Sequence, residues 1–356
     1  MSAASAPDPL LGRLPVTVIT GFLGSGKTTL LRHLLRHPGM RRSAVIINEF
    51  GDVPLDHELV EASSEQMTLL GNGCLCCTLR TDLQETLREL FVRRRAGEII
   101  DFDRVFVETT GLADPLPLLH TLQTDGLVSA QYRLAGVVTL ADAVNGSGQL
   151  ETMPEAVRQV AVADRIVITK SDIAAPSAVD ALRERIGVLN PFAAVTSAVN
   201  GVLDPAEIEN IGLQSAAASR EDVARWIGVA DPAGTSTSAG DAMRPHRAHL
   251  EGIDAFCLWF DAPFTWDGLN AALQALAALR GPDLLRFKGI VHVRGENGPV
   301  VLQGAQHVFH PPVTLRAGND VEPRSRIVFI VRNIPRGAIE ALFAAVGALD
   351  HAAASS

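Results

Sequence analysis

Gly21-Phe-Leu-Gly-Ser-Gly26-Lys27-Thr28 follows a β-branched run, Val16-Thr-Val-Ile-Thr20, and opens a stretch of helical spacing from Lys27 to His37. Strand, glycine-rich turn and helix in that order make a P-loop pattern. The chemistry requires these residue types. Gly21, Gly24 and Gly26 let successive backbone N–H groups turn toward phosphate oxygens, and the new helix adds its positive end. Lys27 is placed to reach the β and γ oxygens, and the Thr28 hydroxyl to bind magnesium.

Outward from this loop the pattern repeats. Short β-branched runs at Ala44–Ile47, Arg104–Val107, Ala135–Thr139 and Arg165–Ile168 alternate with helical stretches such as Asp82–Arg95. The alternation predicts an α/β fold, a P-loop NTPase domain whose mainly parallel sheet is covered by helices on both faces. It fades near Gln214. Residues 1–13 read as a disordered lead-in, 14–212 as the nucleotide domain with its metal motif, and 213–252 as a linker. A smaller α+β domain is expected over 253–350, with strands near Ala255–Phe260, Arg286–Val293, Val300–Phe309 and Arg326–Val331. Its helices are expected near Trp266–Arg280 and Arg336–Leu349.

Composition bounds the function. The 356 residues carry 31 Lys plus Arg against 40 Asp plus Glu, a net charge of −9, which argues against gripping nucleic acid through bulk charge. No apolar run approaches the ~18 residues of a membrane span, and Met1–Pro9 lack the basic and apolar regions of a secretion signal. The expectation is a cytoplasmic protein with neither a membrane nor a nucleic acid among its partners. Only three of the basic residues are lysine, Lys27, Lys170 and Lys288, and two of these fall in nucleotide motifs.

Glu108-Thr-Thr-Gly111 ends a second strand, where a carboxylate holds magnesium and the Gly111 N–H meets the γ-phosphate, so that hydrolysis would release the loop. Thr169-Lys170-Ser-Asp172 follows another strand. A carboxylate there accepts two N–H bonds from guanine, whereas adenine offers no matching donor pair, and the Lys170 stem lies along the base. That implies GTP. Thr196-Ser197-Ala198, after the next strand candidate, is a candidate for backbone contacts to the base.

Gly71-Asn-Gly-Cys74-Leu-Cys76-Cys77 gathers three of the chain's four cysteines. In an extended chain Cys77 would oppose Cys74 and Cys76, so convergence on one ion calls for a turn. Thiolates in a tetrahedral set suit zinc, with cobalt and copper(I) as alternatives. The fourth ligand is water, Glu49, Asp52 or His57. Such an open site suits metal transfer better than permanent binding. A redox thiol group and inert buried cysteines are the competing readings. His246 and His249 have a spacing that suits one metal, His307 and His310 read as solvent-facing or packing residues, Cys257 as core, and Lys288 as a partner contact or a surface residue.

Together, Gly21 to Thr29, Asn48-Glu-Phe-Gly51, Gly71 to Cys77, Glu108 to Pro115 and Thr169 to Asp172 resemble the CobW-type GTPases, a family of P-loop metallochaperones. The resemblance covers residues 15 to 212, with a weaker match at Arg286-Phe-Lys-Gly289 and the terminal strands. It implies a GTPase that binds zinc or a related divalent ion such as cobalt at Cys74, Cys76 and Cys77 and couples hydrolysis to handing the ion to a client metalloprotein; with no water-orienting glutamine after Gly111, turnover is expected to be slow until metal or client completes the site. Ser25 and Thr29 join the nucleotide contacts, and Glu49 belongs to a switch segment linking nucleotide to metal. A homodimer is compatible with this reading. Thr169 stands where many GTPases have asparagine, and the linker lacks the histidine-rich tract many members carry. Two other functions compete: a P-loop enzyme with a structural zinc, and a nucleotide-binding regulator whose thiols sense redox state.

Overall fold

A computed structural model describes residues 12–47, 67–69, 75–78, 83–209, 211–213, 216–229, 252–316 and 322–353, with only the backbone described at 67–69, 75–78, 308 and 348–353. The chain divides into two compact units. Gly12–Ile186 with Ala193–Gly212 forms one, and Gly187–Phe192 with the chain from Leu213 onward forms the other.

The first unit is built on strands β1 (Leu14–Gly21), β2 (Ser43–Ile47), β3 (Met67–Leu69), β4 (Leu75–Thr78), β5 (Arg104–Glu108), β6 (Tyr132–Asp142), β7 (Arg165–Thr169) and β8 (Ala194–Ala198). They lie in the order β3-β4-β2-β5-β1-β6-β7-β8, and every pairing is parallel except that of β3 with β4. The helices are α1 (Lys27–Arg36), α2 (Leu83–Ala96), α3 (Leu116–Thr124), α4 (Gly126–Gln131), α5 (Gly146–Thr152), α6 (Pro154–Ala161), α7 (Pro176–Leu189) and α8 (Ala206–Glu209). Near-continuous burial along β1, β5, β6 and β7 is the signature of a parallel sheet covered on both faces.

On one face Leu30, Leu31, Leu34 and Leu35 of α1 pack against Ile19, Val138 and Val167. Their i, i+3, i+4 spacing puts them on one side of the helix, and each such burial contributes roughly 1.5–3 kcal/mol. Tyr132 closes part of the core through its hydroxyl, which donates to the Leu87 carbonyl of α2 at 2.8 Å. Among the described residues no helix is long and apolar enough to cross a membrane.

The second unit holds α9 (Arg220–Ile227), β9 (Ile253–Phe260), α10 (Trp266–Arg280), β10 (Leu284–Val291), β11 (Val300–Ala305), β12 (Val308–Phe309), β13 (Val313–Thr314), β14 (Ser325–Arg332) and α11 (Arg336–Ala353). Its sheet is antiparallel, β12-β11-β10-β14-β9, with β13 on β11. Alternation along β14 sends Ile327 and Phe329 to a core with Leu269 and Leu273 of α10 and Phe343 of α11. Val328 points to the opposite core with Val223, Trp226 and Ile227 of α9.

That second core corrects the linker expectation for residues 213–252. Ser219 caps α9 by accepting from the Asp222 N–H, Asp222 bonds back to the Ser219 N–H, and three apolar residues at i, i+3 and i+4 bind the helix to the sheet. Three anchors amid alanine and serine leave little compositional trace. Residues 214, 215 and 230–251 of that segment, with His246 and His249, lie outside the described residues, as do residues 1–11 of the expected lead-in. Lys288, expected as a partner contact or a surface residue, is 4% exposed. Its ammonium donates to the Trp226 carbonyl at 2.9 Å and lies 5.1 Å from that ring's centre.

Candidate functional site

Strands β5, β1, β6 and β7 are consecutive neighbours and run parallel, so the loops leaving their C-terminal ends lie side by side. Open α/β sheets bind ligands at such ends. The loop after β1 enters α1 through Gly26, whose φ of 93° is left-handed, a conformation costing a side-chain-bearing residue roughly 1–2 kcal/mol. Lys27 is buried, and its Nζ donates to the carbonyls of Gly21 (2.8 Å) and Phe22 (3.3 Å), which holds the ammonium within the turn. Ser25 Oγ is buried without a hydrogen-bond partner among the described residues, and Thr29 is exposed on the first turn of α1. A polar atom left over in a turn with an ammonium fits a phosphate oxygen.

Register places Glu108, the last residue of β5, beside Ile19 of β1 and Ile47 of β2. The Thr28 hydroxyl donates to Glu108 Oε1 at 2.9 Å, and Glu108 is 1% exposed. A hydroxyl and a carboxylate together at the start of α1 are the hard oxygen donors that magnesium takes, so the residues present fit that ion. Next to them Thr109 donates to the Thr20 hydroxyl at 2.8 Å, and its N–H bonds the Ile19 carbonyl. Gly111 then lies against the glycine-rich loop: a Cβ on it would fall 2.7 Å from the Leu23 nitrogen and 2.8 Å from the Leu23 Cα. No larger residue fits there without moving backbone.

The loop after β7 is tied to this assembly twice. Thr169 Oγ1 donates to the Ser25 carbonyl of the glycine-rich loop at 2.8 Å, with a longer contact to the Ala141 carbonyl at 3.4 Å. Lys170, at a left-handed φ of 58°, donates to Asp142 Oδ2 at 2.8 Å. Asp142 ends β6 and also accepts from the Val144 N–H and the Asn145 side chain. Burial pushes its carboxyl upward, but the bonds from Lys170, Asn145 and Val144 outweigh this and hold it below the usual carboxylate range. Asp172 is exposed.

The structure therefore brings Gly21, Gly24, Ser25, Gly26, Lys27, Thr28, Thr29, Glu108, Gly111, Thr169, Lys170 and Asp172 to one end of one sheet. It differs at Thr196 and Ser197. These lie inside β8, paired with Val167 and Ile168, because Val195-Thr196 continues the β-branched run, and the chain leaves the sheet only after Ala198.

The metal motif is described only in part. Cys74, Glu49, Asp52 and His57 lie outside the described residues, and among the described ones no group of three His, Cys, Asp or Glu is arranged around a common point. Cys76 and Cys77 have the backbone of β4, in register with Val45 and Ile46 of β2, rather than the turn that the three-thiol reading calls for there. Parallel pairing to β2 keeps this stretch extended.

Sequence reasoning passed over Asp142, although a polar residue closing an apolar run is the signal that singles out Glu108. It also passed over Gln159 of α6, whose side chain reaches the Gly111 loop and whose sequence context carries no signal.

Comparison with known proteins agrees with this layout. Residues 15–197 match the CobW/HypB/UreG nucleotide-binding domain, and residues 253–347 match the cobalamin synthesis protein cobW C-terminal domain. The chain is 33% identical over 334 residues to the zinc chaperone YjiA of Escherichia coli, covering 93% of this chain and 98% of that protein. It is 30% identical over 366 residues to the zinc chaperone CobW of Pseudomonas aeruginosa, covering 94% and 91%. Its fold matches the crystal structure of the Zn(II)-bound YjiA GTPase of E. coli with a TM-score of 0.71, at 32% identity, over 94% of this chain and 99% of that one.

Proposed function

The chain belongs to the CobW/HypB/UreG family, and on that premise we propose that it is a cytoplasmic GTPase that carries zinc to a client metalloprotein. The observation that carries the GTPase part is the single end of the sheet at which the phosphate loop, the Thr28–Glu108 pair and the base loop are hydrogen-bonded to one another. The zinc part is supported by the names of the relatives and by the three cysteines of the motif. Cobalt is the alternative cargo.

In this reading Lys27 and the loop amides hold the β and γ phosphates, and Asp172 accepts the guanine N–H pair. Thr28 and Glu108 hold magnesium, which supplies charge neutralisation at the phosphates. Gly111 contacts the γ-phosphate, so its loop is released on hydrolysis. Cys74, Cys76 and Cys77 bind the cargo ion, which calls for the extended backbone of β4 at Cys76 and Cys77 to turn so that the three thiols converge, with Glu49 joining the nucleotide-dependent segment to it. The nucleotide domain follows residues 14–212, the second domain includes α9 as well as residues 253–350, and a homodimer is compatible with this reading. No water-orienting glutamine follows Gly111 in the sequence, which suits a slow intrinsic rate raised by metal or client.

Two variants separate the roles. Lys27→Ala abolishes GTP hydrolysis and leaves zinc binding intact, whereas Cys76→Ser weakens zinc binding and leaves basal hydrolysis intact. Equal loss of both activities in both variants, in protein that remains folded, overturns the two-site reading.

A further inference from the structure

Gln159 lies on α6, outside every motif quoted above, and is 1% exposed. Its side-chain nitrogen donates to the Gly111 carbonyl at 3.1 Å and to the Ala113 carbonyl at 3.0 Å. Two carbonyl acceptors identify that atom as the amide nitrogen, since an amide oxygen would meet them without a hydrogen. The helix is in turn anchored to β6, where Thr139 Oγ1 donates to the Gln159 carbonyl at 2.7 Å. Its neighbour Arg158 stands 3.7 Å from the Asp114 carboxylate.

The segment so held is a turn closed by the Ala113 N–H on the Thr110 carbonyl, with Gly111 and Leu112 at its centre. Glycine has no strong backbone preference of its own, so something else must set the peptide planes around it. Fixing the Gly111 carbonyl fixes the plane between Gly111 and Leu112, and fixing the Ala113 carbonyl fixes the far side of the turn. Ala113 and Asp114 also line a cavity of about 190 Å³ with Val107, Thr109, Pro117 and Thr121, so among the described residues packing does not enclose the turn on every side. Core filling does not account for the glutamine. Its Oε1 is buried without a hydrogen-bond partner among the described residues, a cost that an apolar side chain of similar volume avoids.

We propose that Gln159 is a positioning residue of the nucleotide site. It holds the Thr110–Ala113 turn in the shape that presents Gly111 to the γ-phosphate, and so sets the preference for guanosine triphosphate over diphosphate. The proposal rests on the reading of this site as a GTP site.

The test is fluorescence titration of the purified full chain, with magnesium, against labelled GDP and a labelled nonhydrolysable GTP analogue. Wild type, Gln159→Met and Gln159→Glu are compared. Methionine keeps the volume and removes the donor, and glutamate sets an acceptor against the same carbonyls and guards against a misfolded first variant. Affinity for the analogue is expected to fall about tenfold in Gln159→Met and further in Gln159→Glu, with GDP affinity within twofold of wild type. Equal weakening of both nucleotides, or of neither, overturns the proposal and leaves Gln159 a structural residue. Wild type that binds neither nucleotide overturns the underlying reading of the site.

Discussion

Thr169→Val is an isosteric change at the joint between the base loop and the phosphate loop. Valine keeps the γ-methyl that lies against Gly26, where a Cβ would sit 3.8 Å away, and removes only the hydroxyl that donates to the Ser25 carbonyl. A buried neutral hydrogen bond contributes about 1 kcal/mol net, and the acceptor left behind adds to the loss, so about 1–2 kcal/mol is at stake. If that bond holds the two loops in register for GDP, most of the loss appears as weakened binding. At 1.4 kcal/mol per tenfold, affinity for GDP should fall about fivefold to thirtyfold. The assay is titration with fluorescent GDP alongside urea denaturation of the same preparations. A fall in stability with GDP affinity within twofold of wild type would mean that the bond serves the fold and not the site.

Two further outcomes follow from the charges. Asp142 has its folded-state pKa lowered, so its contribution to stability is complete above its ordinary value near 4 and is lost as pH falls through the lowered one. The stability gap between wild type and Asp142→Asn in urea should therefore be level from pH 8 to 5 and narrow below about 4; a gap that widens toward acid contradicts the pairing with Lys170. Burial raises the Cys257 thiol from 9.0 to about 11, which leaves it about a hundredfold fewer thiolates at neutral pH. In the native chain it should react with an aromatic disulfide reagent more slowly than the three motif cysteines, and equal rates for all four would contradict its raised thiol pKa and partial burial.

The parts of the fold that were legible are those whose pattern is local. The run ahead of Gly21 and the spacing after Lys27 mark β1 and α1 because strand and helix periods differ, and Trp266–Arg280 matches α10 for the same reason. α9 escaped because its evidence is tertiary: Val223, Trp226 and Ile227 matter through the sheet they cover. The expected strand Val300–Phe309 is a hairpin, β11 and β12, since Gln306 takes a left-handed φ of 54° that its side chain does not announce.

In the site, the residues proposed to meet the nucleotide are readable in sequence, because phosphate and guanine demand specific side chains at fixed offsets. Residues that hold those residues are not. Asp142 and Gln159 act on Lys170 and on the Gly111 loop from 28 and 48 positions away in sequence, and only the fold shows what they face. Thr169 stands where many GTPases have asparagine, yet its hydroxyl makes a bond to the Ser25 carbonyl that ties the loop after β7 to the glycine-rich loop.

In the proposed function, nucleotide state and zinc binding are coupled in one chain. Zinc competition against a chromophoric chelator, under reducing conditions, measures this coupling on the purified protein alone, with magnesium and GDP, and with magnesium and a nonhydrolysable GTP analogue. A one-to-one site is expected, with a zinc affinity that differs between the two nucleotides and the same factor recovered when nucleotide affinity is measured with and without zinc. Zinc affinity that is identical in all three states would contradict it and leave a static metal site beside an unrelated nucleotide activity.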